Sequence, residues 1–373
     1  MFRTEVLAAM LTLSCTCLSN TSFGEENMNN NVRSVFKEGK YHNLQATTNL
    51  AEGKSKLDVV KRRIFSGNPK GTPAQPIPVV SIDNKKLENN RRNNQIDIYR
   101  LGHSSVLAKF GGDYWLIDPV FSERASPFSW AGPKRFHPVP IDFSDLPPIT
   151  GVLISHNHYD HLDKRTIKNL RTSVEYFVAP LGVSEVLKKW GVLASKIQEM
   201  DWWQSTTIND LQITAAPAQH FSGRSLSDGD TTLWCGYALK YRDTKVFFSG
   251  DSGYFAGFKT IGERLGPFDI TLMEAGGYDA MWEQMHMNPE ESVQAHIDVN
   301  GKTMIPIHNG TFDLSFHEWQ DPFEKILAIA NRRGVALAMP QFGEKVTVSD
   351  PPRVTYWWRE KESIVASRLQ VSD

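Results

Sequence analysis

The chain has 373 residues, 41 Lys and Arg against 42 Asp and Glu, a net charge of −1, and 40% apolar residues that include ten Trp and twenty Phe. So even a charge balance gives no electrostatic case for a nucleic-acid partner or for charge-driven binding to an anionic surface. The length and apolar share support one large domain, or two small ones, with a substantial core.

The first 24 residues differ from the rest: Arg3, an apolar run at 6–13, then small and polar residues up to Gly24. This pattern predicts an export signal over 1–24 and a periplasmic or exported mature protein. Cys15 and Cys17 close the apolar run, where the cysteine of a membrane-anchored lipoprotein would stand. Beyond them Cys235 is the only cysteine, so the mature chain forms no internal disulfide, and its apolar surroundings at 233–239 read as a core strand. Residues 25–95, rich in Asn, Lys, Gly and Pro, read as an arm or linker ahead of a domain over 96–373. Within the arm, Leu57, Val60 and Ile64 give 56–65 a weak helical period, and the Asn/Lys/Arg run at 84–94 reads as a solvated face. Past the N-terminus no apolar run approaches twenty residues, which argues against an integral membrane protein.

From Ile96 the pattern predicts strands near 96–101, 104–109, 114–118 and 152–155, with Gly111 and Gly112 turning between the second and third. Helices are expected at 164–170, 182–189, 255–264 and 321–332, the last stopped by Gly334. Asn288, Pro289 and Glu291 form a helix start, with a capping Asn, Pro in the first turn and Glu three residues after the cap. That helix should run to about Val299.

The apolar run 151–155 leads into His156, His158, Asp160, His161 and Asp163. Residues two apart on an extended segment point the same way, so His156 and His158 can grip one metal ion. Asp160 and His161 lie past the strand end and can reach a second ion. Imidazole with carboxylate suits zinc, and also iron or manganese. Three more metal-competent residues follow short apolar runs: His220, Asp251 and His308. Asp118 ends a strand and can accept a proton from a ligand imidazole, and His103 is placed for a similar role. Ser155 and Ser249 read as packing or supporting groups. His42, His137, His296 and His317 have no metal spacing and read as structural. Among aromatics, Trp202, Trp203 and Trp282 are read as core with a cavity role as the alternative, and Met285, Met287 and Phe312 flank His286 and His308.

These residues resemble the metallo-β-lactamase superfamily, and within it the branch of N-acylphosphatidylethanolamine-hydrolysing phospholipase D and its bacterial relatives. The resemblance extends from about 96 to 344. It includes LGHSS at 101–105, IDPVFS at 117–122, RASP at 124–127, GPKR at 132–135, DWW at 201–203, FSGDSGY at 248–254, GPFD at 266–269, HMNPEE at 286–291 and HNGTF at 308–312. It implies an α/β fold of the αβ/βα sandwich type, two packed mixed sheets with outer helices. It implies two zinc ions, the first on His156, His158 and His220, the second on Asp160, His161 and His308. Asp251 and a hydroxide would bridge them. It also implies a substrate-facing histidine at His286, so that Asp160, Asp251 and His286 are the candidate catalytic residues. Asn309 stands where the family usually carries Trp, and the segment 275–286 is about two residues shorter than in the animal enzyme. The implied activity is phosphodiester hydrolysis on a phospholipid-like substrate, with peripheral membrane contact. A lactonase or other small-molecule hydrolase is the alternative enzyme, and a non-catalytic metal-binding periplasmic protein the alternative of another class.

Overall fold

The computed structural model describes residues 33–359 except 66, 92, 93 and 226. The expected export signal and both N-terminal cysteines lie outside the described residues.

Two seven-stranded sheets face each other. One runs β16(Lys345–Thr347)-β3(Ile96–Gly102)-β4(Ser105–Phe110)-β5(Asp113–Ile117)-β6(Ile149–Leu153)-β7(Tyr176–Pro180)-β8(Ile197–Met200). The other runs β15(Ala336–Leu337)-β14(Gly301–Ile307)-β13(Phe268–Glu274)-β12(Thr244–Phe248)-β11(Gly236–Tyr241)-β10(Leu211–Ala216)-β9(Ser205–Ile208). Alternation along the strands sorts side chains to opposite faces. Ile98, Val106, Trp115, Ile213, Leu239, Phe248 and Leu272 meet between the sheets, and Cys235 is buried among them.

Helices cover the outer faces. On the first sheet, α3(Lys164–Leu170) and α4(Val183–Lys189) contribute Ile167, Leu170, Val183 and Leu187 to one outer layer. On the second sheet, α5(Gly257–Leu265), α6(Pro289–Asp298) and α7(Asp321–Arg333) contribute Phe258, Ile261, Val293, Ile326 and Ala330 to the other. The fold is therefore the αβ/βα sandwich of the metallo-β-lactamase type. Asn288 accepts from the Glu290 and Glu291 amides while Glu291 caps the Asn288 amide, a reciprocal box worth about 1 kcal/mol. Gly334, at φ 68°, ends α7 in the left-handed region that glycine enters without strain.

The segment before β3 lies against the sandwich. It holds a hairpin, β1(Val35–Lys37) with β2(Lys40–His42), and two helices, α1(Lys56–Phe65) and α2(Asn84–Asn90). Most described side chains of the 84–94 run are exposed, as expected of a solvated face, while Asp83 caps the Lys85 amide and Leu87 is fully buried. Main-chain bonds from Tyr41 to Asp230 and from Ala51 to Met281, both 2.8 Å, fix the arm's course. Arg62–Asp279 and Arg63–Asp313 ion pairs, also 2.8 Å, hold α1. No helix among the described residues is long and apolar enough to cross a membrane.

Candidate metal centre

Strand direction gathers the site. β5 and β6 are parallel neighbours, as are β12, β13 and β14. Their C-terminal ends reach one edge of the sandwich, carrying Asp118, His156, Asp251, Glu274 and His308. β3 and β10 are each two antiparallel pairings away from a parallel strand, so they point the same way and deliver His103 and His220. His103, Asp118 and His308 all have left-handed backbones, with φ of 51°, 42° and 62°. Such conformations cost free energy in a non-glycine residue, and their concentration here marks a site held by its surroundings.

Three imidazole nitrogens converge first. His158 Nδ1 lies 2.8 Å from His156 Nε2 and 3.3 Å from His220 Nε2. Nitrogens that share a tetrahedral zinc stand roughly 3.3 Å apart. A second group brings together His103, Asp160, His161 and His308. Asp251 lies between the two groups: its Oδ2 is 3.1 Å from His161 Nε2, 3.0 Å from His308 Nε2, and 3.8 Å from both His156 Nε2 and His220 Nε2.

Supporting bonds fix each ring. His161 Nδ1 lies 2.7 Å from Asp118 Oδ2, and Asp118 Oδ1 accepts the Ser155 amide at 2.7 Å. Ser155 Oγ contacts Asp118 at 2.5 Å and His156 Nδ1 at 2.9 Å. His220 Nδ1 donates to the Met285 carbonyl at 3.0 Å, leaving Nε2 as its free lone pair. Ser249 Oγ accepts the Glu274 amide at 2.9 Å. Gly276 and Gly277 pass under His308, and a Cβ on Gly276 would sit 2.1 Å from the His308 carbonyl oxygen.

The donor set fits metal ions. His161 Nε2, Asp251 Oδ1 and both ring nitrogens of His308 are buried with no hydrogen-bond partner among the described residues. Buried polar atoms are rarely left so, and two of these, His161 Nε2 and His308 Nε2, converge on Asp251 Oδ2 at 3.1 and 3.0 Å without forming a hydrogen bond to it. Burial opposes charge on His161, yet the Asp251 and Asp160 carboxylates hold it well above the ordinary histidine range. Against the same burial, Asp251 and then Asp160 push His308 up to about 10. Carboxylates that draw protons onto buried imidazoles make a cation site. In the three-histidine group burial prevails, and His158 is lowered to about 4, which leaves a neutral ligand nitrogen.

The structure thus brings His156, His158, Asp160, His161, His220, Asp251 and His308 to one place. His286 joins them at the wall of a cavity of about 1210 Å³ that also reaches His158, Asp160, Asp251 and His308. Asp118 and His103 stand behind the ligands, with His103 Nε2 3.0 Å from Asp160 Oδ2. His103 itself is lowered to about 3 by burial and by the neighbouring His308. His296 is buried against Thr271 Oγ1 at 2.7 Å, and His137 stacks on Phe342. Of the aromatic candidates, Trp282 and Met285 line the cavity, but Trp202 lies in the inter-sheet core and Trp203 packs beside it under Arg264. Met287 is buried behind the second sheet, and Phe312 packs edge-on to His103. Asn309 accepts from Arg100 at 2.9 Å and donates to the Ile307 carbonyl at 2.8 Å, so it sits beneath the site rather than in the cavity wall.

Two residues escaped the sequence reading. Glu274 is fully buried, accepts the Ser252 amide at 2.6 Å and bonds His286 Nδ1. Burial raises its carboxyl above the usual range, against the pull of His286. An acidic residue ending the strand-like alternation 268–273 is close to the signal that singled out Asp251. Asn43, from the arm, grips the His220 backbone.

Comparison with known proteins agrees with this geometry. Residues 114–309 match the family model described as beta-lactamase superfamily domain. An uncharacterized protein of Mycobacterium tuberculosis is 38% identical over 328 residues, 87% of each chain. The N-acyl-phosphatidylethanolamine-hydrolyzing phospholipase D 1 of Caenorhabditis elegans is 37% identical over 247 residues, 62% of this chain and 69% of its own. Among solved structures, a metallo hydrolase of the archaeon Ignicoccus hospitalis aligns with a TM-score of 0.53 at 20% identity, over 68% of this chain and 98% of its own, which speaks to the fold. With a family match over more than half its length, the two-sheet sandwich, and a His/Asp cluster at the sheet edge, the chain belongs to the metallo-β-lactamase superfamily, among its metallo-hydrolases.

Proposed function

We propose that this protein is a di-zinc phosphodiesterase acting on a phospholipid-like substrate of the N-acylphosphatidylethanolamine type. The observation that carries the reading is the position of Asp251 Oδ2 between two ligand groups, within 3.8 Å of a nitrogen of each. His156, His158 and His220 would hold one ion, Asp160, His161 and His308 the other, and Asp251 both. When bound, such a pair polarises a phosphodiester oxygen and lowers the pKa of water between the ions.

The chain's own groups do the rest. Asp118, Ser155 and the Met285 carbonyl orient the rings before any substrate arrives. Glu274 fixes Nδ1 of His286, so that its other nitrogen is available to a group in the cavity. Lys40 and Lys56 bring positive charge to the cavity wall, suited to a phosphate. Leu50, Val60, Phe128, Trp282, Met285 and Leu314 supply an apolar wall, suited to an acyl chain. The identity to the C. elegans enzyme supports the same substrate class.

Access from a lipid surface is part of the proposal. No residue of α1 is buried, and its Leu57, Val60, Ile64 and Phe65 face solvent, Phe65 at 84% exposure. Phe128, in the cavity wall, and Trp130, at 77% exposure, add a second exposed apolar point. Apolar side chains among lysines are the composition of an interfacial helix.

The test is turnover of the zinc-loaded protein on bis-p-nitrophenyl phosphate, N-acylphosphatidylethanolamine and a lactone in parallel. Cleavage of both diesters, faster on the lipid, is expected. Lactone opening with no diester cleavage would replace this reading with the lactonase one.

A further inference from the structure

The arm hydrogen-bonds a proposed metal ligand through Asn43. Asn43 Nδ2 donates to the His220 carbonyl at 2.8 Å, and Asn43 Oδ1 accepts from the His220 amide at 3.0 Å. The side-chain amide thus bonds both polar groups of one ligand residue. Its remaining capacity is also used: Oδ1 accepts from Trp234 Nε1 at 3.1 Å, and Nδ2 donates to Thr47 Oγ1 at 2.8 Å. An amide side chain has two donor hydrogens and two acceptor positions, and here all four are filled.

His220 needs such a hold. It follows β10 in the segment 217–235, whose described residues form no strand or helix. His156 and His158 also lie past a strand end, that of β6, but their segment is tied back by the Ser155 amide on Asp118 and by Asn157 Oδ1 on the Gly223 amide, both at 2.7 Å. The Met285 carbonyl sets the rotation of the His220 ring but does not fix the backbone that carries it. Trp234 shares its single Nε1–H between Asn43 Oδ1 and the Ala218 carbonyl at 3.0 Å, which ties the same amide to the core. The arm around Asn43 is anchored on both sides by the Tyr41–Asp230 and Ala51–Met281 main-chain bonds. Asn43 also lies outside residues 114–309, the part that matches the family model.

We propose that Asn43 is a positioning residue for the metal centre. Through the His220 backbone it makes docking of the N-terminal arm and occupancy of the three-histidine site one coupled equilibrium. This rests on the metal reading above. Coupling of this kind is reciprocal: whatever the docked arm adds to metal affinity, bound metal adds to arm docking. A merely packed arm would show neither effect.

The experiment uses the full chain, stripped of metal and titrated with zinc against a chromophoric chelator, which gives a constant for each ion. In Asn43→Leu, similar in size but without hydrogen bonds, one constant should weaken about tenfold, the size typical of outer partners of a ligand, while the other stays. Arg62→Ala removes one ion pair of α1 but leaves the Tyr41 and Ala51 main-chain bonds that dock the Asn43 stretch, so both constants should stay within threefold. In the wild type, zinc should slow proteolytic cleavage in the arm near 40–55, and in Asn43→Leu this protection should shrink. Should Asn43→Leu fail to fold, Asn43→Ser, whose one hydroxyl cannot span both groups, serves for the same reading with a loss of at least threefold. Unchanged zinc constants in a folded variant would overturn the proposal, and so would equal weakening of both ions, or arm protection indifferent to zinc. A wild-type chain that binds fewer than two ions would instead overturn the metal reading on which the proposal stands.

Discussion

Asp118→Asn is the substitution whose effect the geometry fixes most fully. Asp118 is fully buried, with one oxygen 2.7 Å from His161 Nδ1 and the other accepting the Ser155 amide at 2.7 Å. Both neighbours are donors, and a carboxylate serves both. A carboxamide has one oxygen, so one of its two orientations sets N–H against the Ser155 N–H and the other sets it against His161 Nδ1–H. In the second, His161 relieves the conflict by moving its proton to Nε2, the nitrogen 3.1 Å from Asp251. That nitrogen then has no lone pair for a metal. Loss of such a partner weakens metal binding about 10- to 100-fold, or about 1.4–2.8 kcal/mol. In the first orientation a buried donor is left unmade, at about 1–3 kcal/mol of folding stability. Either metal affinity or stability must fall. Chelator competition reads the first and urea denaturation of the metal-free protein the second. A variant that matches the wild type in both would refute the assignment of Asp118.

Other outcomes follow from the same geometry. Asp251→Asn keeps the shape but removes the charge shared by the two groups, and hydrolysis should fall by at least two orders of magnitude, about 3 kcal/mol; wild-type turnover would remove Asp251 from the site. Glu274→Gln should lower kcat about tenfold or more with zinc content unchanged, because one carboxamide oxygen cannot accept from both the Ser252 amide and His286 Nδ1; an unaltered kcat would make Glu274 structural only. Burial lowers His296 from the ordinary 6.5 to about 4, so on acidification the unfolded chain takes up this proton first. Stability from this group is complete above pH 6.5 and falls by about 3 kcal/mol by pH 4. His296→Gln should flatten that part of the stability-against-pH curve, whatever its absolute stability, and parallel curves for the two proteins would contradict the burial argument.

The most legible parts of the sequence were those with local causes. The 156–161 cluster could be read because its ligands are neighbours in sequence. The α6 start could be read because Asn288, Pro289 and Glu291 act within one turn. His220, Asp251 and His308 were visible as polar residues after apolar runs, and parallel strand order explains why such ends meet. Glu274 carries the same mark but ends a strand without the histidines that drew attention elsewhere. Asn43 was not legible at all, since its partner is 177 residues away and nothing local distinguishes it from the other asparagines of the arm. The tryptophans show a related limit. Composition says that Trp202, Trp203 and Trp282 seek apolar surroundings, but only the packing puts Trp282 in the cavity and Trp202 between the sheets. The helix at 84–90 was hidden by its polar composition, because among its described side chains only Leu87 is buried.

Metal analysis of the full chain after zinc loading and exhaustive dialysis tests the central claim most directly. Two ligand groups joined by Asp251 predict close to two ions per chain in the wild type. A reproducible value of one ion, or none, would contradict the binuclear centre and with it the proposed chemistry.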